Sequence, residues 1–303
     1  MIINNIYYKV KWILPRRLQI YLRRIIVNRK INRYKETWPI LQNAAKKPER
    51  FLGWPKKKRF ALILTHDVET NYGQSKCLDL MKIEKEIGLS SSFNFVPERY
   101  KVSTFIRNIL CKNGFEVGVH GLKHDGKLYQ KKKIFIKRAT KINWYIEYWN
   151  AVGFRSPAMH HNLEWLNNLN IVYDASTFDT DPFEPQSDGL GTIFPFYVKS
   201  KNKNGYIELP YTLPQDHTVF ILMKDYETNI WRKKLDWIAE KGGMALLNTH
   251  PDYMSFTPKK KFDEYPVQLY VNFLKYIQKR YINQYWHVLP KEIAFYWKEK
   301  QLN

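Results

Sequence analysis

ALILTHDVE, residues Ala61–Glu69, is a run of four apolar residues that passes directly into Thr65, His66, Asp67, Val68 and Glu69. A short continuous apolar run is the pattern of a strand buried on both faces, as in parallel sheets. Three ionisable groups at its C-terminal end do not belong inside such a strand. They mark the point where it emerges into a crevice, which is where α/β folds place their chemistry. Taken alone, the segment reads equally well as an ordinary strand end with solvated charges.

Working outward from it, Phe60 begins a β/α alternation. Lys76–Ile87 has helical periodicity and stops at Gly88, and Ser91–Val96 reads as a strand ended by Pro97. Lys101–Cys111 predicts a helix, Phe115–His120 a strand, Lys131–Trp149 a long amphipathic helix and Val152–Phe154 a strand. Asn162–Leu169 and Trp231–Lys241 read as helices, and Asn170–Tyr173, Tyr206–Leu209 and Met244–Thr249 as strands. Tyr265–Tyr281 and the stretch from Pro290 are C-terminal helices. Strands alternating with helices of this length predict a parallel sheet, open or closed into a barrel. Ser176–Phe196 interrupts the rhythm and reads as a functional loop; it holds Asp179, Asp181, Glu184 and Asp188, with no basic residue before Lys199.

The 303 residues, 44% of them hydrophobic, suffice for one large domain or two small ones. No apolar run is long enough to span a bilayer, and the N-terminus lacks the pattern of a secretory signal. Cys77 and Cys111 are too few and too far apart for a disulfide framework or a C-x-x-C site, which points to reduced thiols and a cytoplasmic protein.

The net charge of +22 is unevenly placed. Seventeen Lys and Arg, against Glu36 and Glu49, give residues 1–59 a charge of +15, so 60–303 carry +7. Residues 1–59 therefore read as a basic extension and 60–303 as the body of the protein. Pro15 can start a helix in which Leu18, Tyr21, Leu22, Ile25 and Ile26 recur at helical spacing opposite Arg16, Arg17, Arg23, Arg24, Arg29 and Lys30. Such a helix either lies in an anionic membrane interface through residues 1–35, at the inner face of the membrane, or packs on the body with its arginines solvated. Nucleic acid ranks behind both, because no nucleic-acid-binding signature accompanies the charge.

Several predicted strands end in reactive side chains. His120 and His124, four apart around Gly121, can turn both imidazoles to one point, and imidazole suits zinc and similar divalent metals. A catalytic zinc needs a third protein ligand, for which Asp67 and Glu69 stand ready, one to bind metal and the other to take a proton from water. Arg155, before Ser156-Pro157, can hold a carboxylate ionised, and His250, after Leu246–Thr249, can protonate a leaving group.

This ordered set resembles the polysaccharide deacetylases, the NodB-like superfamily that includes carbohydrate esterase family 4. Thr65–Glu69 stands for its T-F-D-D-G motif, His120–His124 for H-S-x-x-H, Arg155–Ala158 for R-x-P-Y, Tyr173–Asp181 loosely for the fourth motif, and Leu247–His250 for L-x-H. The resemblance spans residues 60–255 and implies a distorted (β/α) barrel, a divalent metal (zinc, with cobalt or nickel as alternatives), and hydrolysis of N-acetyl groups on sugars. By position it implies Asp67 as general base, His120 and His124 as metal ligands, Arg155 as the residue that orients the base, and His250 as general acid. Tyr173, Asp174 and Asp181 are expected to contact substrate.

Val68 stands where the family has its second, metal-binding aspartate. Either Glu69 takes over as ligand, as in a D-x-D arrangement, or Asp67 is the ligand and the base is lost or moved to His66. Gly121 and Ala158 depart from the usual Ser or Thr and Tyr. The expected substrate is an N-acylated glycan or its lipid-linked or nucleotide-linked precursor; a metal-free barrel would instead be a silent glycan-binding or assembly scaffold.

Overall fold

Phe60–Val68 forms β1, the longest strand among the described residues and buried along its whole length. The computed structural model describes residues 14–49, 51–200 and 205–302. β1 is apolar on both faces because it is flanked by parallel neighbours, β2 (Ser92–Phe95) on one side and β8 (Met244–Thr249) on the other. From β2 the sheet continues in parallel through β3 (Glu116–His120), β4 (Gly153–Arg155), β5 (Tyr173–Asp174) and β7 (Tyr206–Glu208). The ring is drawn shut between β7 and β8 by a single bridge, Leu213 to Leu247, rather than a full ladder. That thin closure is the distortion in this (β/α) barrel. β6 (Phe196–Val198) adds an antiparallel edge to β7, and β11 (Tyr285–His287) lies parallel to the start of β1.

Helices α3 (Cys77–Ile87), α4 (Thr104–Lys112), α5 (Lys132–Tyr148) and α7 (Asn229–Lys241) follow strands as their periodicity predicts. They are joined by the short α2 (Asn71–Ser75) and α6 (Leu163–Leu166). α3 ends where Gly88 adopts φ +78°, a left-handed cap that only glycine takes without cost. β9 (Met254–Ser255) and β10 (Tyr265–Pro266) pair outside the barrel and lead into α8 (Val267–Arg280) and α9 (Pro290–Leu302).

The N-terminal residues do not stand apart from the barrel. Phe51 and Trp54 stack with Trp297 of α9, and the Trp54 indole donates to the Gly242 carbonyl at 2.9 Å, so this segment seals the amino-terminal end of β8. Helix α1 (Arg16–Tyr34) lies across the opposite end, with Ile20 and Val27 in the common core. Its orientation differs from the expectation of a helix packed on the body with its arginines solvated. Leu18, Tyr21 and Leu22 point outward, Tyr21 being 60% exposed, while Arg16, Arg23, Arg24 and Lys30 face the barrel. Residues 1–13 of the expected membrane-binding stretch lie outside the described residues. No helix among the described residues is long and apolar enough to cross a membrane.

Candidate metal centre and cleft

Side chains alternate along β1. Thr65 turns inward, its hydroxyl donating to the Leu247 carbonyl at 3.1 Å, and Asp67 follows on the same side. His66 and Val68 turn outward. His66 is bonded to Thr249 Oγ1 at 2.7 Å and to Glu84 at 2.8 Å, in a fully buried cluster that Ser91 and Tyr270 complete. It is a core histidine, so the reading in which His66 becomes the base fails on direction. Val68 is fully buried among apolar groups. Glu69, just past the strand, comes round to the crevice, where its backbone N–H donates to Asp252 at 2.9 Å.

Glu69, His120 and His124 bring donor atoms within 4.8 Å of one another. His120 ends β3, and its Nδ1–H donates to the Arg155 carbonyl at 3.1 Å; a carbonyl can only accept, so the lone pair is on Nε2. That Nε2 is buried with no hydrogen-bond partner. Burial pushes the imidazole down to about 4, which keeps it neutral. His124 Nε2 lies 2.9 Å from Glu69 Oε1 without hydrogen-bond alignment. Burial would raise the Glu69 carboxyl, but the adjacent His124 holds it well below the usual range. The bend that unites the two histidines needs Gly121, whose φ is +63° and whose missing Cβ would sit 2.5 Å from the Pro157 ring. Two imidazoles and a carboxylate, with the buried Nε2 of both histidines left without a hydrogen bond, fit a divalent metal of the zinc type.

Asp67 is beside this triad, 99% buried, and accepts from Asn94 at 3.0 Å and from Asn248 at 2.8 Å. Arg155 Nε is 3.8 Å from Asp67 Oδ1, an ion pair without a hydrogen bond. Burial opposes ionisation of Asp67; the neighbouring His120 imidazole and the charges of Arg155 and His250 outweigh it and set its pKa below the ordinary value. Gly118 makes room for this arrangement, because a Cβ there would lie 2.2 Å from Asn94 Oδ1. Across the crevice His250 Nδ1 bonds Asp216 at 2.7 Å, and Asp216 also accepts from the His250 backbone and the Tyr265 hydroxyl. Burial would depress His250, but Asp216 prevails and lifts it to about 10, so the ring stays protonated at neutral pH.

These groups line a cleft of about 900 Å³ at the carboxyl ends of the strands. Asp67, Glu69, His120, His124 and His250 all face it, and Arg155 is buried just beneath. Tyr173, Asp174 and Asp181, expected to contact substrate, do not line it. Tyr173 runs inward past Gly153 and donates to Glu116 at 2.8 Å; Asp174 is consumed by the Ser176 N–H and hydroxyl; Asp181 accepts from the Tyr211 hydroxyl at 2.9 Å. Within the 176–196 loop Asp179 is paired with Lys234 and Asp181 with Tyr211, Asp188 is exposed, and only Glu184 reaches the cleft. Asn94, Asp216 and the α1 arginines were missed. A polar Asn94 inside an otherwise apolar strand was the available signal; for Asp216, far from His250 in sequence, there was none.

No family model matches the sequence, and neither do the curated proteins. Solved structures do match. A protein described as a polysaccharide deacetylase from Mycobacterium smegmatis superposes with a TM-score of 0.64 at 18% identity, over 85% of this chain and 96% of that one. The fold is that of the polysaccharide deacetylases. A deacetylase-described protein from Pseudomonas aeruginosa PAO1 gives 0.62 at 14% identity over 84% and 95%, and Puue allantoinase gives 0.62 at 15% over 83% and 94%. At such identities the likeness to deacetylases and allantoinase is one of fold, and the chemistry must be argued from the residues.

Proposed function

We propose that the protein is a metal-dependent hydrolase that removes N-acetyl or similar acyl groups from amino sugars. The observation that carries this reading is the convergence of Glu69, His120 and His124 between a buried carboxylate and a protonated histidine. A divalent ion held by these three residues would polarise the amide carbonyl and acidify the attacking water. Asp67, fixed through both oxygens by Asn94 and Asn248, takes the proton from that water. His250, with Nδ1 committed to Asp216, presents Nε2–H to the departing amine and protonates it. In this assignment Glu69 replaces the family's missing aspartate as ligand and Asp67 keeps the role of base.

The outward-facing Leu18, Tyr21 and Leu22 support a further part of the reading, in which α1 rests on an anionic membrane surface beside the cleft mouth and the substrate is a lipid-linked glycan precursor. The test of function is acetate release from N-acetylglucosamine oligomers and lipid-linked N-acetylated sugars by protein loaded with zinc, cobalt or nickel. Release is expected, and Asp67→Asn should lower it by about 10³-fold. No release by fully metal-loaded protein on any of these substrates overturns the reading.

A further inference from the structure

Helix α1 is anchored by buried Ile20 and Val27 but carries cations on the rest of its inner face. A soluble helix packs its apolar stripe inward, yet here Leu18, Tyr21 and Leu22 face outward while Arg16, Arg23 and Lys30 line the cleft. Cations facing a half-buried crevice require partners, and not all of them have one. Arg16 is held by Asp263 at 3.5 Å. Lys30 donates to the Pro182 carbonyl at 2.8 Å, which uses one of its three N–H bonds. Arg23 has no hydrogen bond or ion pair among the described residues. Glu184, an acid lining the same cleft, already accepts from Tyr211 and Gln215, and burial beside Asp181 pushes that carboxyl upward, towards the neutral form.

The same end of the cleft carries a second orphan. His217 is 93% buried, lines the cleft, and its Nε2 has no hydrogen-bond partner. Its ring stands 4.9 Å from Tyr253, whose ring stands 5.2 Å from His250. Helix α1 packs against residues 217–222, where Arg24 Nε donates to the Ile221 carbonyl at 2.9 Å, so the neighbouring Arg23 shares this end of the cleft with His217. An unpaired guanidinium and an unsatisfied imidazole therefore line this end of the cleft, the imidazole one aromatic ring away from His250, and a lysine with spare donors lines the same cleft about two helical turns further along α1.

Resting on the hydrolase reading above, we propose that Arg23, Lys30 and His217 form a phosphate subsite, so that the substrate is an amino sugar bearing a phosphoryl group next to the reacting sugar. A phosphate presents several strong acceptor oxygens that match the planar fork of Arg, and a low-dielectric cleft strengthens the pairing. It would also neutralise the Arg23 charge while bonding His217, which a neutral glycan chain would not.

The test is calorimetric binding to zinc-loaded full-length Asp67→Asn protein, which separates recognition from turnover. N-acetylglucosamine 1-phosphate should bind at least about tenfold more tightly than N-acetylglucosamine, as one charge-assisted contact predicts. Arg23→Gln should collapse that ratio towards one, while Arg29→Gln, on the exposed side of the same helix, should leave it in place; melting curves verify that both variants fold. UDP-N-acetylglucosamine and a farnesyl-phosphate-linked sugar identify the source of the phosphate: preference for the first assigns a nucleotide-linked substrate, and for the second a lipid-linked one. Equal affinity for the sugar and its phosphate, or a ratio untouched by Arg23→Gln, overturns the subsite while wild-type acetate release can still stand. Phosphate-selective binding without acetate release by the wild type leaves the subsite and removes the hydrolase.

Discussion

At the scale of single residues, the division of labour at the site follows from direction. Strand alternation turns Asp67 inward and His66 outward, and the end of the strand brings Glu69 to the two histidines. Asp216 keeps His250 protonated, as its proposed role of general acid requires, and this has a pH signature. A group whose folded pKa is raised works below that pKa, so activity should fall on the alkaline side as His250 loses its proton. Asp216→Asn should move that alkaline limb of the rate profile to lower pH by about one to two units, measured as kcat/KM against pH. Gly118→Ala tests the cradle of the base. Its new methyl must displace Asn94, so activity should drop about 10–100-fold at a stability cost of about 1–3 kcal/mol, read from kinetics and thermal melts together.

Among elements, α1 is the part whose behaviour the sequence left open. Its periodic apolar positions were visible in the sequence, but which face met the barrel was not, since Ile20 and Val27 suffice to anchor it and the arginines occupy the rest of the inner face. If the outward stripe rests on lipid, Leu18→Ser with Leu22→Ser should abolish co-sedimentation with anionic liposomes and leave turnover of a water-soluble substrate unchanged. Retention of sedimentation by that pair would place membrane contact elsewhere. The sheet itself was more legible. Strand ends at Asp67, His120, Arg155 and His250 were readable because buried parallel strands are apolar until they reach the crevice. The fourth motif misled for a related reason: β5 is two residues long, and its polar groups are buried beside β4 and β7 instead of emerging.

For the whole molecule, the barrel gathers donors from strand ends far apart in sequence, so pairings such as Asp216 with His250 exist only after folding. Bringing Glu69 and two imidazoles together has a cost that bound metal should offset. Zinc at about a hundred times its Kd should therefore stabilise the fold by about 2.7 kcal/mol, seen as a rise in Tm that chelator reverses. The most direct measurement is the zinc content of dialysed protein, compared with Glu69→Ala and His120→Ala. The account predicts one ion per wild-type chain, with both variants losing it and acetate release together. Wild-type protein that retains no zinc, or a Glu69→Ala protein that holds it as well as wild type, would contradict the assignment.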